Sequence, residues 1–276
     1  MGVEIVGGFL TDSLALLSDA GHMLSDSASL ALALVAFWLA DRPATSRRTF
    51  GYKRAEILAA LANGVALVLI ALWIVYESIG RFRDPPEVLG GWMLVIASIG
   101  LAVNLASGLL LAGARKGSLN MEAAYRHVLA DLGGSLGVLL AAVIILTTGW
   151  LYADPLISVV IAVLIAGGAW SVVRDSLRVL LEATPEGIDA DRVAARMLAQ
   201  PHVVDVHDLH VWTITSGFPS LAAHVLVEPG ADCHATRREL EHVIEQEFGI
   251  DHTTLQVDHA RSADPVRWAG RLDYDQ

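Results

Sequence analysis

At 276 residues, 54% of them hydrophobic and with a mean hydropathy of +0.52, the chain is too apolar for an ordinary soluble domain and reads as a membrane protein. Its net charge of −11 is uneven: residues 1–181 carry 12 Lys/Arg and 13 Asp/Glu, whereas residues 182–276 carry 7 and 17, together with eight of the ten histidines. That acidic, His-rich balance argues for cations as partners and against nucleic acid, and the single cysteine, Cys233, excludes an internal disulfide framework and suits a reducing cytosol.

The chain opens on MGVEIVGGFL, about ten apolar residues that stop at Thr11-Asp12. A span needs about 20, and the flanks lack the pattern of a cleaved signal peptide. The stretch therefore reads as the second half of a membrane helix whose first half is missing. Five following segments are long enough to cross, at about 13–40, 55–80, 89–112, 121–149 and 154–174. Basic residues orient them. Arg42, Arg47, Arg48, Lys53 and Arg54 fall in one loop, Arg115 and Lys116 in another, and Arg174 and Arg178 after the last span, nine in all on one side. The opposite side has Arg81 and Arg83, beside Asp84 and Glu87. The nine-cation side is expected to be cytoplasmic. That makes residues 1–181 a membrane domain of six helices, the first truncated, with both termini of a complete protein inside.

From residue 182 the apolar runs shorten. DADRVAARMLAQ reads as a short helix, VVDVHDLHVWTIT alternates like a half-buried strand, and SLAAHVLVE reads as its hairpin partner across SGFPS. CHATRRELEHVIEQEFG places Leu240, Val243, Ile244 and Phe248 on one helical face and stops at Gly249, and TTLQVD closes as a third strand. The order αββαβ predicts a small two-layer α+β domain over 182–260. Residues 261–276 read as a polar tail.

Ionisable groups inside a span are expensive, about 2.5–3.5 kcal/mol each on insertion scales, and need a reason. The first full span carries Asp19, His22 and Asp26; the span at 121–149 carries His127 and Asp131. His22/Asp26 and His127/Asp131 share the i, i+4 spacing that stacks two side chains on one helix face. Two such faces supply two imidazole nitrogens and two carboxylate oxygens, a tetrahedral set of the kind zinc prefers. Asp19 reads either as an acceptor for His22 or, in preference, as an interfacial residue at a helix start. Asn63 and Asn104 read as packing contacts. Arg126 is expected to snorkel toward the cytoplasmic loop. GGSLG at 133–137 matches GxSxG formally but lies in an apolar helix without the strand-turn-helix setting of a nucleophile elbow. Gly133 and Gly137 read instead as points of close helix approach. The chain has no GxxxxGK[ST], so pumping must draw on an ion gradient, and no HExxH.

SLALLSDAGHMLSD, HVLADLGGSLG and, further on, HDLHVWTIT resemble the cation diffusion facilitator family, in its bacterial zinc/cadmium/cobalt efflux branch, over about residues 3–260. The resemblance implies a membrane all-α six-helix bundle followed by a cytoplasmic metallochaperone-like domain. It further implies a homodimer in the bacterial inner membrane that exports Zn2+ in exchange for protons, with no organic cofactor. By position His22, Asp26, His127 and Asp131 form the transport site, and His22 in place of an Asp favours zinc-like ions. In the cytoplasmic domain the resemblance implies His207, His224 and Asp258 as ligands, with His234 a further one and Zn2+ in a regulatory role. His210 alternates to the face opposite His207 and reads as structural, and Cys233 as a partly buried bystander. Arg48 and Tyr52 stand where some members carry a loop metal site, and Gln256 where some carry a histidine, so the first site is expected to be absent and the second reduced. Arg54 and Glu182 are implied as a charge pair. A membrane-anchored sensor or metallochaperone without transport is the alternative, and the intramembrane quartet discriminates against it. An intramembrane enzyme is disfavoured, since four ligands leave no open position for water.

Overall fold

The computed structural model describes residues 1–114 and 119–260. Arg115, Lys116 and the 261–276 tail lie outside the described residues, as does the side chain of Arg126. The chain forms two compact units, one of residues 1–35 and 59–173, the other of residues 36–58 and 174–276.

A short helix, α1 (Gly2–Thr11), is followed by five long ones: α2 (Leu14–Ala40), α3 (Ala55–Arg83), α4 (Gly90–Ala114), α5 (Leu119–Thr148) and α6 (Ala153–Leu180). With 25 to 30 residues each, the long helices measure about 38–45 Å at 1.5 Å per residue, enough to cross a hydrocarbon core of about 30 Å. They are apolar all round rather than striped. Leu30, Phe37, Leu69, Tyr76 and Leu110 face outward, the signature of helices solvated by lipid. Inside the first unit Leu16, Leu67, Ile74, Met93, Val138, Ile145 and Ile161 form the core. Small residues bring the helices together. A Cβ on Gly64 would come within 2.8 Å of Val173, and one on Gly137 within 3.4 Å of Ile157. Gly133, expected to play the same part, meets nothing within 4 Å. The closest approach on α5 falls one residue later, at Gly134, because the helix turns that position toward Asp19 of α2.

The start of α2 is capped from a distance. Asp154, fully buried in the first turn of α6, accepts hydrogen bonds from Ser13 Oγ (2.6 Å), Leu14 N (2.9 Å) and Ala15 N (3.2 Å). These are orphan donors that a helix start must satisfy. Arg81 at the end of α3 bridges Asp12 (2.9 Å) and Asp154 (3.7 Å). Removing the carboxylate strands two backbone donors and part of a buried cation. Asp154→Ala is therefore expected to lower stability by about 2–4 kcal/mol, read as thermal unfolding in detergent; an unchanged midpoint would show that the cap is dispensable.

The second unit contains α7 (Ala190–Leu198), β1 (Val203–Thr213), β2 (Pro219–Val227), α8 (Cys233–Phe248) and β3 (His252–His259). The sheet order is β1-β2-β3, with β1 antiparallel and β3 parallel to β2. Val193 and Met197 of α7 and Leu240 and Ile244 of α8 pack on Val206, Val211, Leu221, Ala223 and Val225 of one sheet face, leaving the other face to His207 and His224. Asp189 caps α7 and Asp232 caps α8, and Gly249, at φ 67°, ends α8 in the left-handed conformation that suits glycine. Hydrogen bonds from the backbone N–H groups of Ala235 and His234 hold the Asp232 carboxyl below its ordinary value of 3.8. A depressed folded-state pKa adds stability above the unfolded value and loses it as pH falls through the folded one. The α8 N-terminus is thus expected to loosen on strong acidification in the wild type and not in Asp232→Asn, a difference that amide exchange of the intact chain resolves.

Candidate metal sites

In the first unit, α2 and α5 lie so that their His/Asp pairs converge. His22 Nε2 stands 3.6 Å from Asp131 Oδ1, His22 Nδ1 3.7 Å from Asp26 Oδ2, and His127 Nε2 3.4 Å from Asp26 Oδ2 and 3.8 Å from Asp131 Oδ2. These separations exceed ordinary hydrogen bonds. They come close to the edge of a ligand tetrahedron, about 3.3–3.6 Å for metal bonds of about 2.0–2.2 Å. His22, Asp26 and Asp131 each offer an atom within 4.8 Å of the others. His127 reaches both carboxylates but stands farther from His22, with ring centroids 6.1 Å apart. His22 Nδ1 and Asp131 Oδ1 are buried and have no hydrogen-bond partner. Unsatisfied polar atoms on facing helices cost free energy unless something occupies the space between them, and a divalent cation is a group that these side chains could hold there. The site opens at His127, whose side chain is 50% exposed against 13% for Asp131.

Asp19 is not an interfacial helix-start residue. It lies in the second turn of α2, 3% exposed, because Asp154 supplies the cap that a helix start would need. Its carboxylate accepts from Ser135 Oγ at 2.9 Å, and Ser135 Oγ in turn accepts from Asn104 Nδ2 at 3.0 Å. This chain ties α2, α5 and α4 together one turn from the quartet. Asn63 accepts from Ser25 Oγ at 3.3 Å.

In the second unit His207 and His224 sit directly opposite each other on β1 and β2, ring centroids 5.4 Å apart. The third member of the cluster is Asp208, within 4.8 Å of both. The register slips between His207 and His210 and Asp208 takes φ 50°. This is a bulge, and it turns Asp208 to the histidine side of the sheet. The same extra residue overturns the expectation for His210. Strict alternation puts it opposite His207, but across the bulge it pairs with Ala222, two residues from His224, and is exposed on the same face. Asp205, 4% exposed, holds His207 Nδ1 at 3.0 Å. That contact assigns the proton to Nδ1 and leaves Nε2 to face a ligand.

Asp258 and His234 do not join this group. Gln256, rather than Asp258, pairs with His224 across β3, and its amide donates to Asp258 Oδ2 at 2.8 Å. His234 is exposed on the first turn of α8. Cys233 Sγ lies 3.6 Å from His259 Nε2. Arg54 and Glu182 pair at 2.8 Å. Sequence reasoning misses Asp208 and Asp205, because the bulge that turns Asp208 toward the histidines leaves no mark in the letters HDLH. Asp205→Asn is expected to weaken metal binding at this cluster about 10–100-fold, read by competition with a chromogenic chelator; unchanged affinity would leave Asp205 with a packing role alone.

Residues 1–181 match the model for the cation efflux transmembrane domain, and residues 185–260 that for the cation efflux protein cytoplasmic domain. The chain belongs to the cation efflux, or cation diffusion facilitator, family. Three relatives illustrate its neighbourhood within that family. The cadmium, cobalt and zinc/H(+)-K(+) antiporter of Bacillus subtilis (strain 168) is 47% identical over 94% of this chain and 84% of its own. The zinc transporter ZitB of Escherichia coli (strain K12) is 44% identical over 94% and 83%. The metal cation efflux system protein CzcD of Cupriavidus metallidurans is 43% identical over 93% and 82%. Membership makes the five long apolar helices a transmembrane bundle, with the α+β unit as the family's cytoplasmic domain.

Proposed function

We propose that the chain exports Zn2+ from the cytosol in exchange for protons, with Cd2+ and Co2+ as further substrates, as a homodimer in the bacterial inner membrane. The observation that carries this reading is the convergence of His22, Asp26, His127 and Asp131, with facing ligand atoms 3.4–3.8 Å apart. The names of the relatives, a cadmium, cobalt and zinc antiporter, a zinc transporter and a metal cation efflux protein, support the substrate class.

Each side chain has a task. The carboxylates of Asp26 and Asp131 balance the ion's two charges. The imidazoles of His22 and His127 bias the site toward zinc-like ions over Mg2+, which prefers oxygen. A His binds metal only when neutral, so protons and Zn2+ compete for the same lone pairs. A site that faces each side of the membrane in turn loads metal where pH is higher and releases it where protons are abundant. In the cytoplasmic domain His207, His224 and Asp208 hold a regulatory ion, and Asp258 and His234 join only if β3 and α8 shift. An ion there offsets the repulsion of a segment that carries 17 acidic against 7 basic residues and so favours docking of two copies.

The test is flux in proteoliposomes carrying a zinc dye and a pH dye. Zinc and proton movements in opposite directions, each stopped when the other's gradient is clamped, support the antiporter. Zinc binding without flux would turn the reading to a membrane-anchored sensor.

A further inference from the structure

One cavity lies away from both metal clusters, with none of His22, Asp26, His127, Asp131, His207, Asp208 or His224 on its wall. It lies within the second unit and measures about 920 Å3, near the upper end of small-molecule sites. Arg48, Lys53, Arg54 and Tyr52 from the loop between α2 and α3 line it, with Leu58 of α3 and Trp212 of β1. That loop, residues 41–54, carries five Lys/Arg against a single Asp in a chain of net charge −11.

Of the three cations in the cavity, Arg54 is paired with Glu182. Arg48 and Lys53 have no carboxylate within ion-pair distance among the described residues. Aromatic rings hold them instead. The Arg48 guanidinium lies 4.2 Å over the Tyr52 ring and the Lys53 ammonium 5.0 Å over Phe218. Stacking uses the face of a guanidinium and leaves its in-plane N–H donors free. Two preorganised cations with unspent donors are a phosphate site by chemistry, and a metal ion would find there only the paired carboxylate of Glu182 and the single imidazole of His210.

We propose that this cavity binds a phosphate-bearing anion, and that its source is the headgroup of an anionic phospholipid. The loop joins the ends of two membrane-spanning helices on the cation-rich side, the depth at which headgroups lie. A free phosphate ion would fill a small part of the space, whereas a glycerophosphate headgroup also meets the apolar surfaces of Leu58 and Trp212.

The test uses the full chain in nanodiscs of phosphatidylglycerol and phosphatidylcholine at a ratio of about 1:3, with retained lipid counted by native mass spectrometry. Wild type is expected to retain phosphatidylglycerol in preference. R48Q/K53Q is expected to lose that preference about 30-fold, from about fivefold per basic residue. R42Q/R47Q changes two cations of the same loop that do not line the cavity and keeps it, and R48K/K53R, which retains both charges, keeps most of it. No preference in the wild type, or equal loss in R48Q/K53Q and R42Q/R47Q, would overturn the site. Saturable binding of inorganic phosphate in pure phosphatidylcholine discs, without phosphatidylglycerol retention in mixed ones, would overturn the lipid as its source.

Discussion

Asp131→Asn is expected to reduce zinc flux at least about 100-fold while leaving the fold intact. The substitution is isosteric, so any loss comes from charge rather than shape. A zinc ion held by His22, His127 and Asp26 alone carries an uncompensated positive charge in a medium that solvates it poorly, and an amide oxygen is a weak substitute for a carboxylate. Even residues that only orient a metal ligand are worth about 10–100-fold; a ligand in direct contact is worth more. Stability moves the other way. Asp131 has a buried oxygen without a hydrogen-bond partner, and a neutral amide is cheaper to bury than a carboxylate. The variant should therefore unfold at the same temperature as wild type or higher in the absence of metal. Wild-type flux with a lowered midpoint would make Asp131 a structural residue and dissolve the quartet.

Acidification is expected to weaken zinc binding at the quartet steeply. Each imidazole that ligates must first give up any proton it holds, so with His22 and His127 both ligating the apparent affinity falls by up to about 100-fold per pH unit once both are protonated in the free protein. His22→Asp leaves one imidazole, so between the ordinary carboxylate and imidazole ranges the slope should fall from two protons to one. The sign fits export: affinity is higher on the less acidic cytosolic side and lower outside. The measurement is chelator competition across a pH series in an H207A/H224A background, which removes the cytoplasmic cluster. An unchanged slope in H22D would remove His22 from the ligand set.

What could be read from sequence depended on how local the cause was. The HxxxD pairs are visible because an i, i+4 spacing fixes two side chains on one face whatever the surroundings. The five spans are visible because lipid demands long apolar runs. The role of Asp19 is hidden from local sequence because it lies in Ser135, 116 residues away, and in the distant cap that relieves it of a helix-start role. Asp154 is hidden for the same reason, since the donors it serves are backbone groups near residue 14. In the sheet, the family resemblance points to His207 and His224, whereas strict alternation fails at His210, because the left-handed residue Asp208 inserts a bulge. Nothing in the letters HDLH distinguishes a bulged strand from a regular one. Local periodicity thus located the intramembrane set, and tertiary partners decided the supporting residues.

The most direct test of the account is zinc K-edge absorption spectroscopy on the zinc-loaded H207A/H224A variant, which lacks the two histidines of the cytoplasmic cluster. Four-coordinate zinc with two nitrogen and two oxygen neighbours at about 2.0–2.2 Å, lost in Asp131→Asn, is the predicted result. A six-coordinate oxygen shell, or a spectrum indifferent to Asp131, would contradict it.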